Sequence, residues 1–269
     1  MRDFPGPGHA LQYTVNVRAT LNIGHGSDVG KVRKLNEDFH RVWEYPLRDD
    51  RLLLFGVADG MGGAAAGEYA SRKAVHALDE IFARYVDDVA AGRSVIGLDR
   101  VVERCVKLAN HRLHKSSEVP ARAGMGTTLT FIALHGHRAH LGHVGDSRAW
   151  LVRDGRIRQL TRDHTWVQEQ MDMGLLRADE ADDHEWRHLL TRALGTAAEV
   201  EPEVQALEVY SGDVLAVSTD GLHDMLAPEE ILDEIRSART AQSSVEYLIT
   251  RARERGGPDN ITLVIVEVP

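Results

Sequence analysis

The stretch LLLFGVADGMGG, residues 52–63, decides how the rest of the chain is read. Residues 52–58 form a continuous apolar run, the pattern of a strand buried on both faces. The run stops at Asp59, and glycine occupies positions 60, 62 and 63. A carboxylate at the mouth of a buried strand must be hydrogen-bonded, neutralised or metal-bound, because burying it bare is strongly unfavourable. The segment VLAVSTDG (214–221) repeats the form, running an apolar strand into Asp220-Gly221. Asp154-Gly155 shows the ordinary case, a hairpin turn between the polar-flanked strands RAWLVR and RIRQL.

Two more aspartates join them. Asp38 in NED (36–38) and Asp259 in GGPDN (256–260) each stand beside a predicted strand. Four aspartates near strand ends, in a chain with one cysteine, describe an oxygen-rich site for a hard divalent cation. Gly60 can offer its own carbonyl to such an ion, and Gly62 and Gly63 let the backbone pass close by. The histidines form no competing zinc pattern: HLGH and HRLH lack the HExxH spacing, and His140 and His143 are read as strand residues. Cys105 falls on the apolar side of a helical repeat and is assigned to the core.

Around these residues the pattern alternates between strands and paired helices. YTVNVRATLNI (13–23) alternates at Val15, Val17, Ala19, Leu21 and Ile23, the period of a half-buried strand. Helical spacing starts at Glu68 and again at Leu98, each helix with one apolar face. Closely spaced strands follow from 128 to 160, and then 204–209 and 213–220. Two helices over 227–238 and 241–256 precede a closing strand, NITLVIVEV. Residues 162–203 are polar and lack a strand pattern, and are read as an excursion from the main fold. The expectation is an α+β fold with mostly antiparallel sheets: a lead-in over 1–12, then a single domain over 13–269.

Composition limits the function classes. The chain is 43% hydrophobic and 27% charged, ordinary for a globular protein, with a formal net charge of −9. It shows no basic block, so nucleic acid and anionic membranes are not expected partners. No apolar run approaches membrane-spanning length, and no signal peptide is legible, which points to the cytoplasm. An acidic protein acting on phosphate would need local positive charge, most simply from bound cations.

The order of the motifs carries a resemblance. SDVGKVRKLNEDF, VADGMGG, GMGTTLT, GHVGDSRAWLVRDGRIRQLTRDHT, LTRALG, STDGL and GGPDNITLVIV occur in the sequence expected of the PP2C (PPM) family, the metal-dependent protein serine/threonine phosphatases. The chain most resembles the compact bacterial members, from about residue 20 to the C-terminus. The resemblance implies a four-layer αββα sandwich, two mostly antiparallel β-sheets flanked by helix pairs, with residues 162–203 as a flap beside the active site.

It also implies roles. Asp38, Asp59, Asp220 and Asp259, with the carbonyl of Gly60, would hold two Mn²⁺ or Mg²⁺ ions, Asp59 bridging them. The activated water would attack the phosphomonoester directly, with no phosphoenzyme. Asp146 would help hold a third ion, shared with Asp220. Arg33 would grip the substrate phosphate, its planar fork suited to two oxygens, while Lys31 and Lys34 are read as solvated charges. Glu37 would hydrogen-bond metal-bound water, and Asn260 would orient Asp259. Met61 stands where many eukaryotic members carry histidine as a proposed acid, so the leaving group's proton must have another source. The flap also departs from the family, DDHEWRHLLTRALG lacking the usual Pro-x-Arg-Asn.

The reading is therefore a protein serine/threonine phosphatase acting on phosphoserine and phosphothreonine proteins, the targets of a cytoplasmic kinase, as a monomer. A catalytically inactive PP2C-fold interaction module is the alternative, and every matched metal position being filled stands against it. A nuclease is opposed by the acidic surface and the absence of a basic groove, and another metal hydrolase, such as a phosphodiesterase, by the order of the motifs.

Overall fold

The computed structural model describes residues 21–268 except positions 49, 64, 94 and 182. Its strands, in chain order, are β1 (Asn22–Asp28), β2 (Phe39–Leu47), β3 (Asp50–Ala58), β4 (Gly60–Met61), β5 (Gly126–Thr127), β6 (Leu129–His135), β7 (Arg138–Val144), β8 (Arg148–Arg153), β9 (Arg156–Gln159), β10 (Glu203–Glu208), β11 (Val214–Ser218) and β12 (Ile261–Glu267). Its helices are α1 (Ala65–Ala90), α2 (Leu98–Ser117), α3 (Trp166–Asp172), α4 (Ala178–Ala181), α5 (Asp220–His223), α6 (Pro228–Ser237) and α7 (Ala241–Glu254).

Period-two alternation along β3 shows how the layers form. Leu53, Phe55 and Val57 point into the space between two sheets, while Leu52, Leu54 and Ala58 point the other way, against α1 and α2. One five-stranded sheet has the order β10-β7-β6-β3-β2, the other β1-β12-β11-β8-β9, and every pairing is antiparallel. In the second sheet Val264 and Val266 of β12 face the inter-sheet core. Leu263 and Ile265 face α6 and α7 instead. Three apolar clusters thus separate four layers, the αββα sandwich that the resemblance implied. Cys105 is fully buried in the helix-side core.

Two elements differ from the sequence expectation. The described part of the first strand runs from Asn22 to Asp28, and the expected stretch over residues 13–20 lies outside the described residues. Strand β2 was not expected: its mixed burial and Pro46 blur the alternation. Pro46 is tolerated because β2 is the edge of its sheet. Asp154 and Gly155 close the β8–β9 hairpin with φ of 50° and 70°, the twist a tight hairpin requires.

Candidate metal centre

Asp59 leaves β3 under tight backbone control. Its N–H donates to Thr128 Oγ1 (2.9 Å), and its carbonyl accepts Thr128 N–H (2.9 Å) and Thr127 Oγ1 (2.8 Å). The GMGTT motif is therefore a clamp that fixes where the Asp59 carboxylate points. Gly60 follows in β4, paired with Thr127 of β5. A Cβ at Gly60 would collide with the Gly67 carbonyl, so this approach requires glycine. Gly62 and Gly63 turn the chain into α1 with φ of 122° and 79°.

Asp38, immediately before β2, is 6% exposed. Its Oδ2 accepts hydroxyls from Thr219 (2.8 Å) and Thr262 (2.6 Å), while its Oδ1 is buried with no partner. Burial pushes this carboxyl up to about 7, against the pull of the two threonine bonds. Asp220 opens the single-turn helix α5 rather than ending β11, and its Oδ1 is likewise buried and unpartnered. Burial, then Asp146 and Asp224, push Asp220 well above the usual carboxylate range. Asp59 is pushed well up too, by burial and then by Asp38, Asp220, Asp146 and Asp259. Asp146 is raised to about 7 by burial, then by Asp163 and Asp224. The expected aspartates thus feel one another across one pocket, and they repel.

Asp59, Gly60, Asp146, Asp220 and Asp259 line a cleft of about 730 Å³ together with Arg33. Asp38 lies behind that lining and reaches the group through Asp59. Arg33 donates from Nη2 to Asp259 Oδ2 at 2.6 Å. Glu37 faces the cleft with a buried, unpartnered Oε1, and burial raises its carboxyl. Asn260 acts on backbone: Oδ1 accepts Glu37 N–H (2.8 Å), and Nδ2 donates to the carbonyls of Val29 and Leu35 (both 3.0 Å). Its own N–H donates to Asp259 Oδ1 at 2.8 Å. It therefore ties the Arg33 loop to Asp259.

Orphaned carboxylate oxygens, carboxyl pKa values pushed up by burial and a glycine carbonyl at one cleft fit hard divalent cations, which would satisfy all three at once. Among the described residues, two sets also bring three ligand atoms within 4.8 Å of one another. His188, Asp220 and Asp224 form one, with His188 Nδ1 3.9 Å from Asp220 and 3.7 Å from Asp224. Sequence reading missed Asp224 and His188. Asp224 stands one helical turn after Asp220, a spacing that could have exposed it; nothing around His188 signals its place. The other set, His143, His164 and Glu203, fastens the ends of the 162–203 segment instead. His143 Nε2 faces the Arg162 carbonyl at 3.0 Å and must donate, and His164 Nδ1 accepts Gly145 N–H at 3.1 Å, leaving its proton on Nε2.

The profile of the family described as Protein phosphatase 2C matches residues 26–261. The chain belongs to this family. It is 40% identical over 253 residues to the serine/threonine protein phosphatase PstP of Mycobacterium tuberculosis, an overlap of 94% of this chain and 46% of PstP. It is thus similar to about half the length of that relative. The protein phosphatase PhpP of Streptococcus pneumoniae is 34% identical over 249 residues, covering 92% of this chain and 98% of PhpP. Among solved PP2C structures, the catalytic domain of PstP in complex with two manganese ions superposes with a TM-score of 0.75 at 36% identity, covering 92% of this chain and 99% of that one. No helix of the described residues is long and apolar enough to cross a membrane.

Proposed function

We propose that the protein is a Mn²⁺- or Mg²⁺-dependent protein serine/threonine phosphatase. One observation carries this reading: Asp59, Asp146 and Asp220, raised by burial and mutual repulsion, line one cleft with Asp259 and an arginine. Asp59, Asp220 and Asp259 with the Gly60 carbonyl would hold two core cations, Asp38 contributing through Oδ1, and Asp146 with Asp220 would take a third. When bound, such ions supply the Lewis acidity that makes water a nucleophile toward phosphorus. Arg33 binds and orients the phosphate, and Asn260 fixes the loop that carries it. Glu37 accepts hydrogen bonds from water at the cleft wall. Met61 has no proton to give, so the leaving oxygen takes one from elsewhere in the cleft.

Phosphoserine and phosphothreonine proteins, products of a serine/threonine kinase, are the proposed substrates, and signalling reversal the proposed role. The relatives named protein phosphatases support this. Residues 13–269 act as one domain, with 162–203 as its flap, in a cytoplasmic monomer. The test is hydrolysis of p-nitrophenyl phosphate and a phosphothreonine peptide with Mn²⁺, and with EDTA. Turnover only with Mn²⁺ is expected. No turnover with Mn²⁺ present would favour an interaction module, and turnover that ignores EDTA would exclude a metal mechanism.

A further inference from the structure

The cleft is rich in carboxylates, yet part of its wall is apolar: Met61, Leu189, Leu190, Ala193, Met225 and Pro258 line it, with Arg187 and His188 among them. The apolar character continues outward onto both rims. Val32 and Leu35, on the loop that carries Arg33, are 68% and 48% exposed, and Trp186 and Leu189, on the flap, are 47% and 51% exposed. Single exposed apolar residues need no explanation, but each of these is, or lies within two residues of, a residue that lines the cleft: Arg33 on one side, Arg187 and Leu189 on the other. Trp186 is also held in place: its ring packs edge-on against Trp166 with centroids 4.8 Å apart, and the Leu189 N–H donates to its carbonyl at 3.0 Å. A rigid aromatic kept half in water beside a cleft is the usual form of an anchor for a partner side chain.

From this we infer that the rim selects phosphorylated segments carrying a bulky apolar side chain, of the leucine or phenylalanine class, within two residues of the phosphoresidue. The inference rests on the phosphatase reading and names its substrate class. The occupant follows from continuity. Leu189 both lines the cleft and is half exposed, so a chain whose phosphate meets Arg33 can pass from the cleft onto the rim along apolar surface, and two extended residues reach about 7 Å. The charge balance agrees, because the net charge of −9 disfavours acidic flanks.

The experiment compares three phosphothreonine peptides differing only in their flanking residues, leucine, serine or aspartate, with p-nitrophenyl phosphate as an ester too small to touch the rim. With Mn²⁺, wild-type protein should favour the leucine peptide in kcat/KM by about tenfold, the scale of one well-placed apolar contact. Trp186→Ala and Val32→Ala should shrink that preference to about twofold, chiefly through KM, and leave ester kinetics unchanged. Trp186→Phe should restore it. Equal turnover of the three peptides, or a preference for aspartate, overturns the inference. So does an equal loss on peptide and ester, which would mark Trp186 as merely structural. A dimer in sedimentation that Trp186→Ala dissolves would assign the rim to self-association and overturn it as well. Failure of wild type to hydrolyse even the ester would instead sink the phosphatase reading, and this inference with it.

Discussion

Arg33 donates to Asp259 at 2.6 Å, so the cation proposed to hold substrate phosphate is gripped by a carboxylate proposed to hold metal. The two roles compete for one oxygen. Loading Asp259 with a cation weakens its hold on the guanidinium and frees the fork for phosphate. Inorganic phosphate should therefore inhibit more strongly as Mn²⁺ is raised. Arg33→Ala should raise KM for p-nitrophenyl phosphate about 10- to 100-fold, the range of a charge-assisted hydrogen bond, with a smaller change in kcat. Inhibition curves that superimpose for wild type and variant would contradict the assignment.

Asp220 is crowded by carboxylates, and Asp146, Asp224, Asp259 and Asp38 all push its pKa up after burial. Asp220→Ala removes both a proposed metal ligand and a source of repulsion. Turnover should fall at least about 100-fold, calorimetry should show fewer Mn²⁺ ions bound, and the melting temperature in EDTA should hold or rise. A variant that unfolds early in EDTA would mean that the carboxylate stabilises the fold instead.

The raised carboxyls fix a pH dependence whose sign is unusual. Asp38 and Asp146, near 7 when folded, keep protons that the unfolded chain has lost above about 4. The folded state binds more protons, so these groups make metal-free stability fall as pH rises through 7. Buried neutral His40 and His143, lowered to about 4, act oppositely, but only as pH drops below about 6.5. Between pH 6.5 and 8 in EDTA, the two carboxyls should cost about 1–2 kcal/mol of stability. Saturating Mn²⁺ should erase the trend. Calorimetric scans at both pH values, with and without metal, decide the matter.

Asn260 satisfies three groups of the 29–37 loop that no helix or sheet partner serves. Asn260→Ala leaves a donor and two acceptors short, at a cost of about 2–4 kcal/mol. Because the same loop carries Arg33, KM should rise with the loss of stability, while Asn260→Asp, which keeps only the acceptor, should recover part of both. Melting curves and ester kinetics on the two variants test this.

The residues legible in the sequence were those that break a pattern locally. Asp59 and Asp220 end apolar runs, and glycines mark the close approach at residue 60, so both stood out. Strand β2 did not, because an edge strand with burial on both sides has no clean period. Thr219 and Thr262 were invisible for another reason: their hydroxyls reach Asp38 across 181 and 224 positions of sequence, a purely tertiary fact. His188 belongs to the same class. The fold was readable because layers repeat a period, whereas the groups that hold Asp38 obey none.

Thr262 lies on β12, the last strand, and it secures a side chain from the first tenth of the described fold. Ribosomes deliver chains from the N-terminus, so Asp38 waits for residues 219 and 262 before its clamp closes. The clamp on Asp38 therefore closes late, when β12 slots between β1 and β11.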